Sequence, residues 1–431
     1  MFETFKNKII YQIYVRNFTK EGTIKALIKK LPYIKSLGID IIYLMPVFEI
    51  GVKDKKGSLG CPYSIKDYYK IDHNIGSNDD LKLLINETHN LGMEIIIDIV
   101  YNHTSRDSII LKEHPGWFLR DENDEIINKC PDWSDVYDLD YSNNELIEYL
   151  TKVLEYYVSI GIDGFRFDVA SMIPEKFYRY AFPKLYKMNK NIILLGEAIE
   201  GSFLDYLRYK GFETLTDPLL YSCGFNLLYR YNSWPEFRDF LETKNLESLD
   251  RYKGIMSNEE SLLPFDALRI GTIENHDNKR IASFSNSLFL TKNLLSYSFF
   301  LKGPAFIYCG EECKDTITPS LFEKEQINME IKDQEYFNFV KTLIKIKKDP
   351  KNIDLISSHF LKTFGANIVV KNLYKDNSFV LGLFNFSEKE IIIQNNEIEN
   401  GNYIDLISNK EFVINDNKIA FHFPLFLKKI N

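Results

Sequence analysis

The sequence contains no long unbroken apolar run. Its most apolar stretch, from Ser287 to Tyr308, is interrupted by Lys292, Lys302, Gly303 and Pro304, which argues against a membrane span and suits a helix followed by a buried strand. No membrane partner is expected. The chain also lacks an excess of basic charge. Its formal net charge is −8, and nucleic-acid affinity comes largely from Lys and Arg neutralising phosphates, so no nucleic-acid partner is expected either. Cysteine is sparse and odd in number. The five residues Cys61, Cys130, Cys223, Cys309 and Cys313 show no metal-type clustering, which predicts free thiols in a reducing compartment, with Cys309 and Cys313 as packing residues. The opening MFETFKNKIIYQIYV lacks a basic region followed by an apolar run and a small-residue cleavage site, so a cytoplasmic location is expected. A low-complexity linker is missing too, and neighbouring domains are therefore expected to pack directly.

What is present is a chain of 431 residues with 45% hydrophobic and 14% aromatic residues, enough for a large core and unlike a disordered polymer. One pattern occurs three times, an amphipathic helix ending at Gly and an apolar strand following at once: SLGIDIIYL, NLGMEIIID and SIGIDGFRFD. Gly38, Gly92 and Gly161 mark the joints, because the left-handed conformation that closes a helix costs glycine no side-chain clash. Ser77 predicts a cap for the helix before Gly92, and Asp79 and Asp80 favour the positive end of its dipole. Asn143 similarly opens the helix before Gly161. Pro32 marks either a kink or a late start in the first helical stretch.

The strands are near-continuous apolar runs, as in a parallel sheet covered by helices on its faces. With KIIYQIYV, NIILLGEA, ETLTDP, LRIGTIEN and AFIYCG they make eight by about Gly310, the number a closed parallel barrel needs. EYFNFVKTLIKIKK reads as the helix that closes it. The expected organisation is a (β/α)8 barrel over residues 1–101 and 141–351. Residues 102–140, rich in charged and turn residues after the third strand, read as an inserted small lobe. Residues 352–431 alternate apolar and polar in short stretches, including NIVVKNLY, SFVLGLFNF and EIIIQ, and predict an antiparallel β-sandwich.

In a parallel barrel the active site lies at the C-terminal ends of the strands. The third strand ends with Asp98, Asn102 and His103, the fourth with Arg166 and Asp168, the fifth with Glu197, and the seventh with Asn275, His276 and Asp277. Any one of these acids alone reads as half of a structural salt bridge. Several acids converging with an arginine and two histidines on one rim read differently, because burying carboxylates among apolar strands is expensive unless partners or function offset it. Glycoside cleavage uses two carboxyl groups, and adjacent strands can supply the roughly 5 Å separation of the retaining case.

The motifs DIVYNH, GFRFD, GEA and NHD, in this order at the ends of strands three, four, five and seven, resemble the α-amylase family of glycoside hydrolases and transglycosidases. IIYQIYVRNF, GCPYSIKDYYKID and FIYCGEE support the resemblance, which covers nearly the whole chain. It implies Asp168 as nucleophile, Glu197 as general acid/base and Asp277 as the acid that grips sugar hydroxyls while the ring flattens. Arg166 is expected to keep Asp168 ionised, His103 and His276 to hydrogen-bond the sugar, and Tyr63 to form a stacking platform. Asp98 is expected to orient its neighbours. Asn102 corresponds to the family's calcium-ligand Asn, but the chain reads DVASMIP after Asp168 where many members carry Lys-His. Calcium is therefore possible but not favoured, and no metal is expected to be required.

The expected activity is a retaining hydrolase of α-glucosidic bonds in malto-oligosaccharides, an oligosaccharide or α-glucan being the partner. A transferase or isomerase of the same family is the near alternative, since water or a sugar hydroxyl can resolve the same intermediate. A non-catalytic sugar-binding protein would be marked by loss of a catalytic acid, and none is lost. A phosphate-handling barrel is disfavoured because no Gly-rich loop opens a helix after strand seven or eight.

Overall fold

Each predicted joint between helix and strand forms. Gly38, Gly92 and Gly161 have φ of 98°, 66° and 104°, the left-handed region that side chains resist, and a parallel strand follows each. The computed structural model describes residues 5–285 and 287–430. Seven strands form its parallel sheet: β1 (Ile9–Ile13), β2 (Ile41–Leu44), β3 (Glu94–Ile99), β4 (Gly164–Phe167), β5 (Ile193–Gly196), β6 (Leu227–Leu228) and β7 (Ala305–Tyr308). Their order, β6-β5-β4-β3-β2-β1-β7, is that of a (β/α)8 barrel, and nearly every strand residue is buried.

The chain divides into two compact units. The first comprises Tyr11–Tyr229 and Pro319–Ile327. The second takes the N-terminal residues to Ile10, Arg230–Thr318 and Asn328–Asn431.

Within the first unit, the helix Asn78–Asn90 has a full capping box: Ser77 accepts from the Asp80 N–H and the Asp80 carboxylate accepts from the Ser77 N–H. Asn143 stands at the start of the helix Asn144–Ser159 as expected, but its side chain makes no capping bond and donates instead to the Gly116 carbonyl at 3.2 Å. Pro32 marks a late start, sitting in the first turn of the helix Leu31–Leu37 after a separate short helix, Ile24–Ile28. The segment after β3 carries a hairpin in which His103–Ser105 pairs with Val136–Asp138, placing His103 opposite Asp138. No helix among the described residues is long and apolar enough to cross a membrane.

Two expected strands differ. ETLTDP is not the sixth: Thr216 is the N-cap of the helix Asp217–Cys223 with Pro218 in its first turn, and the sixth strand is the later, two-residue β6. LRIGTIEN, expected as the seventh, narrows to an isolated parallel bridge between Gly271 and Ala305. The helix Leu288–Phe300 crowds it there, since a Cβ on Gly271 would meet the Ser298 carbonyl oxygen at 2.2 Å. The expected eighth strand is β7.

In the second unit, six antiparallel strands run in the order Leu355–Phe360, Asn367–Tyr374, Phe379–Asn385, Leu425–Ile430, Gly401–Asp405 and Glu411–Ile414. Ile391–Gln394 pairs separately with Lys418–Phe421. Their alternating inner residues, among them Val369, Leu381, Leu383, Ile393, Tyr403, Phe421 and Leu427, share one apolar core. No linker separates this sheet from the helix Leu288–Phe300. The Asn385 N–H donates to Asn293 Oδ1 at 2.8 Å, and Asn372 Nδ2 donates to the Phe300 carbonyl at 2.8 Å.

Candidate active site

Period two and sheet register bring the first three groups together. Asp98 on β3 lies in register with Arg166 on β4, so the two side chains share a face, and Asp168, two residues beyond Arg166, emerges on that face one step higher. Glu197 follows β5, where its N–H donates to the Phe167 carbonyl at 3.1 Å. Gly164 at the base of β4 permits this packing, because a Cβ there would lie 2.1 Å from the Ile193 carbonyl oxygen.

Arg166 is fully buried and serves all three acids. Its Nη1 donates to Asp98 Oδ1 at 2.9 Å, to Asp98 Oδ2 at 3.1 Å and to Asp168 Oδ1 at 2.8 Å. Its Nη2 lies 3.0 Å from Glu197 Oε2, an ionic contact without hydrogen-bond alignment. Glu197 Oε2 also accepts from the Val169 N–H at 2.6 Å. Val169 adopts φ 38°, a left-handed conformation that is rare and costly for a β-branched residue, and this turn aims its N–H at Glu197. Asp168 and Glu197 are each 7% exposed, whereas Asp98 is sealed.

One guanidinium cannot fully compensate three carboxylates. Burial pushes Asp98 up to about 6, opposed by Arg166 and by the hydroxyls of Tyr43 and Tyr63. Burial also raises Asp168, where Arg166 pulls downward while Glu197 and Asp98 push upward. Arg166 pulls Asp168 toward the ionised form, as expected, and shares that pull with Asp98 and Glu197. Tyr43, whose hydroxyl donates to Asp98 Oδ2 at 2.6 Å, escapes sequence reading because nothing in IIYL distinguishes a ligand of the cluster from a packing residue. Its register with Ile96, two residues before Asp98, is the signal that structure adds.

Tyr63, expected as a stacking platform, is buried. Its hydroxyl donates to Asp98 Oδ2 at 3.0 Å, and its ring lies 5.9 Å from the Arg166 guanidinium. His103 is buried, with Nδ1 at 3.2 Å from Asn102 Nδ2. Burial lowers its pKa to about 3, with Lys129 adding to the effect, so its ring is neutral. Asn102 is fully buried and its Oδ1 accepts from Lys129 Nζ at 2.7 Å. That arrangement does not fit a calcium ion at Asn102, since a cation already occupies the oxygen the metal would need. Lys129 is a second residue that sequence reading misses.

His276 and Asp277 belong to the second unit. Asp277 is exposed and lies 3.2 Å from His276 Nε2 through Oδ2. Asn275 is their pedestal: its Oδ1 accepts from the N–H of Asp277 at 2.9 Å and of Asn278 at 3.1 Å, while its Nδ2 donates to the Tyr231 hydroxyl. The same unit holds another buried acid cluster. Arg280 Nη1 donates to Glu274 Oε1 at 2.8 Å, its Nη2 to the Cys309 carbonyl at 2.9 Å and its Nε to the Ile317 carbonyl at 3.1 Å. Glu274, Glu311 and Glu312 accept from the backbone N–H groups of Ile281, Tyr308 and Gly310.

A parallel barrel with paired, slightly open carboxyls at the C-terminal ends of β4 and β5 defines an enzyme of the glycoside hydrolase class. The family described as "Alpha amylase, catalytic domain" matches residues 6–116 and 113–352, and the chain belongs to that family. A crystal structure of an alpha-amylase from Lactobacillus plantarum is 30% identical, with a TM-score of 0.90 over 99% of this chain and 100% of the other. A "noncanonic maltogenic alpha-amylase" from Thermotoga neapolitana is 29% identical, with a TM-score of 0.86 over 99% of both. A cyclomaltodextrinase of Thermoanaerobacter pseudethanolicus is 27% identical over 88% of this chain, and the match spans 66% of that relative's length.

Proposed function

We propose that this chain is a retaining hydrolase of α-glucosidic bonds in malto-oligosaccharides, with Asp168 as nucleophile and Glu197 as acid/base. The observation that carries the reading is the sharing of Arg166, which holds Asp168 by one terminal nitrogen and Glu197 by the other. Asp168 Oδ1 is engaged by Arg166, so Oδ2 is the oxygen that attacks the anomeric carbon. Glu197 Oε2 is engaged by Arg166 and the Val169 N–H, so Oε1 is the oxygen that delivers a proton to the leaving group. Attack breaks the glycosidic bond and forms a glycosyl ester on Asp168. Glu197, now a carboxylate, takes a proton from water as the water displaces Asp168.

Asp277, half-open beside His276, is assigned the grip on sugar hydroxyls as the ring flattens. The carboxylate-rich site and the net charge of −8 suit a neutral sugar. Kinship with a cyclomaltodextrinase and a maltogenic amylase supports maltose-type chains as substrate. All five cysteines are free thiols, which supports a reducing, cytoplasmic setting.

Proton NMR during early maltotriose hydrolysis tests the mechanism. Two inversions give the α-anomer at the new reducing end before mutarotation. A β-anomer as first product refutes the double displacement. Excess maltose in the same tube separates hydrolysis from transfer, since longer products with little free sugar released would identify a transferase.

A further inference from the structure

Lys129 comes from the segment inserted after β3, and its ammonium bridges the start of that segment at Asn102 to Met172, beyond β4. Its Nζ donates to Asn102 Oδ1 at 2.7 Å and to the Met172 carbonyl at 3.0 Å, while its backbone N–H donates to Asp138 Oδ2 at 3.0 Å. The lysine is 8% exposed, and Asn102 and Met172 are fully buried. Cys130, Met172 and Leu207, with Trp133 and Val169 packed against them, close an apolar cluster around this contact.

An ammonium donates and cannot accept, so Lys129, together with the Asp138 carboxylate that the Asn102 side chain also bonds, sets which way the Asn102 amide faces. With Oδ1 turned to the lysine, Nδ2 must face His103 Nδ1 as a donor. That nitrogen then accepts and carries no proton. With Nδ1 accepting from the amide, the ring's proton falls to Nε2, and the Tyr63 backbone is the other hydrogen-bond partner of His103. Tyr63 in turn places its hydroxyl on Asp98. A chain of donors thus runs from the inserted segment to the carboxylate cluster, and every link has a defined direction.

We propose that Lys129 is a positioning residue whose ammonium takes the place of a structural metal ion, orienting Asn102, fixing the Nε2–H tautomer of His103 and thereby setting Tyr63 against Asp98. The site is filled by the chain's own cation, so its organisation does not depend on calcium. The inference concerns the support of the site and stands apart from the identity of the sugar that the proposed hydrolase cleaves.

Three measurements test it. In the wild-type protein with 15N-labelled histidine, the His103 signal, assigned by its loss in His103→Gln, is expected to show an unprotonated Nδ1 and a protonated Nε2. A proton on Nδ1 overturns the proposal. Thermal melts of the wild type are expected to be the same after exhaustive chelation and in millimolar calcium chloride. A rise of several degrees with calcium reveals a divalent-ion site and overturns it. Asn102→Asp keeps a partner for Lys129 but replaces the donor facing His103 with an acceptor. In chelator, the variant is expected to stay folded, the Lys129 partner offsetting its new proximity to Asp138, while kcat/KM falls about tenfold or more, as for other supports of a site's inner groups. Unchanged kcat/KM in folded Asn102→Asp counts against the relay. A parallel fall in stability with an unaltered His103 tautomer assigns Lys129 a packing role only.

Discussion

The two units each bury one arginine among several acids, and the two clusters are finished differently. Around Arg280, three donor nitrogens are committed at 2.8 to 3.1 Å, and backbone N–H groups satisfy Glu274, Glu311 and Glu312. Around Arg166, Nε and Nη2 have no aligned hydrogen-bond partner, and Asp168 and Glu197 keep a small opening to solvent. A closed cluster holds its segments in place and has nothing left to offer a ligand. The Arg166 cluster is left incomplete, and its two outer acids keep a small opening to solvent, which separates reactive from structural acids more clearly than charge does.

The largest test of this contrast is Asp168→Asn. Turnover is expected to fall by roughly 10^4-fold or more, because the amide cannot form the glycosyl ester. The melting temperature should hold or rise, since one of three competing carboxylates is neutralised. Near-normal turnover would break the distinction between the clusters at its active end.

Arg280→Met probes the closed cluster. Leaving Glu274 buried without its cation is expected to cost about 3–5 kcal/mol of unfolding free energy. Denaturant melts report that loss, and the activity of the folded fraction should remain. A stable variant with lost turnover would place Arg280 among the reactive groups instead.

A smaller effect comes from pH. Asp98 is raised to about 6 in the folded chain, above the ordinary carboxylate value, so the folded state binds its proton more tightly than the unfolded state does. Its contribution to stability is complete below about pH 4 and is lost as the pH rises through about 6, a change on the order of 3 kcal/mol. Melts of wild type and Asp98→Asn from pH 4 to 7 should converge or cross in that direction. A difference independent of pH would mean that Asp98 is fully ionised throughout.

Much of this contrast is readable in the sequence where the signal is local. DIVYNH, GFRFD and GEA place Asp98, Arg166, Asp168 and Glu197 at strand ends, and the spacing of Arg166 and Asp168 already puts both on one face. The glycine joints are equally local, as their positive φ values show. The sixth strand is not legible, because two residues of β6 carry no periodicity, while Thr216-Asp217-Pro218 begins a helix despite the strand-like residues before it. The seventh narrows to a bridge at Gly271, where Ser298 approaches closely, a tertiary contact that no window along LRIGTIEN contains. Lys129 lies 27 positions from Asn102 and looks like one more charged residue of an inserted lobe until the chain folds back. What stays hidden is the partner choice of residues whose types are common.

Val169 has a consequence for how such a site can be inherited or redesigned. Its left-handed turn is held against a penalty of roughly 1–2 kcal/mol, and the N–H it presents is taken up by Glu197, a residue of the next strand. The end of β4 and the end of β5 therefore form one indivisible module. A chimera that imports the β4 end without the glutamate that receives its N–H carries the awkward turn without that partner, and one that imports the glutamate alone leaves its carboxylate short of two donors, Arg166 and the Val169 N–H. Recombination between residues 169 and 197 cuts through this contact and through those that Phe167 and Arg166 make with Glu197.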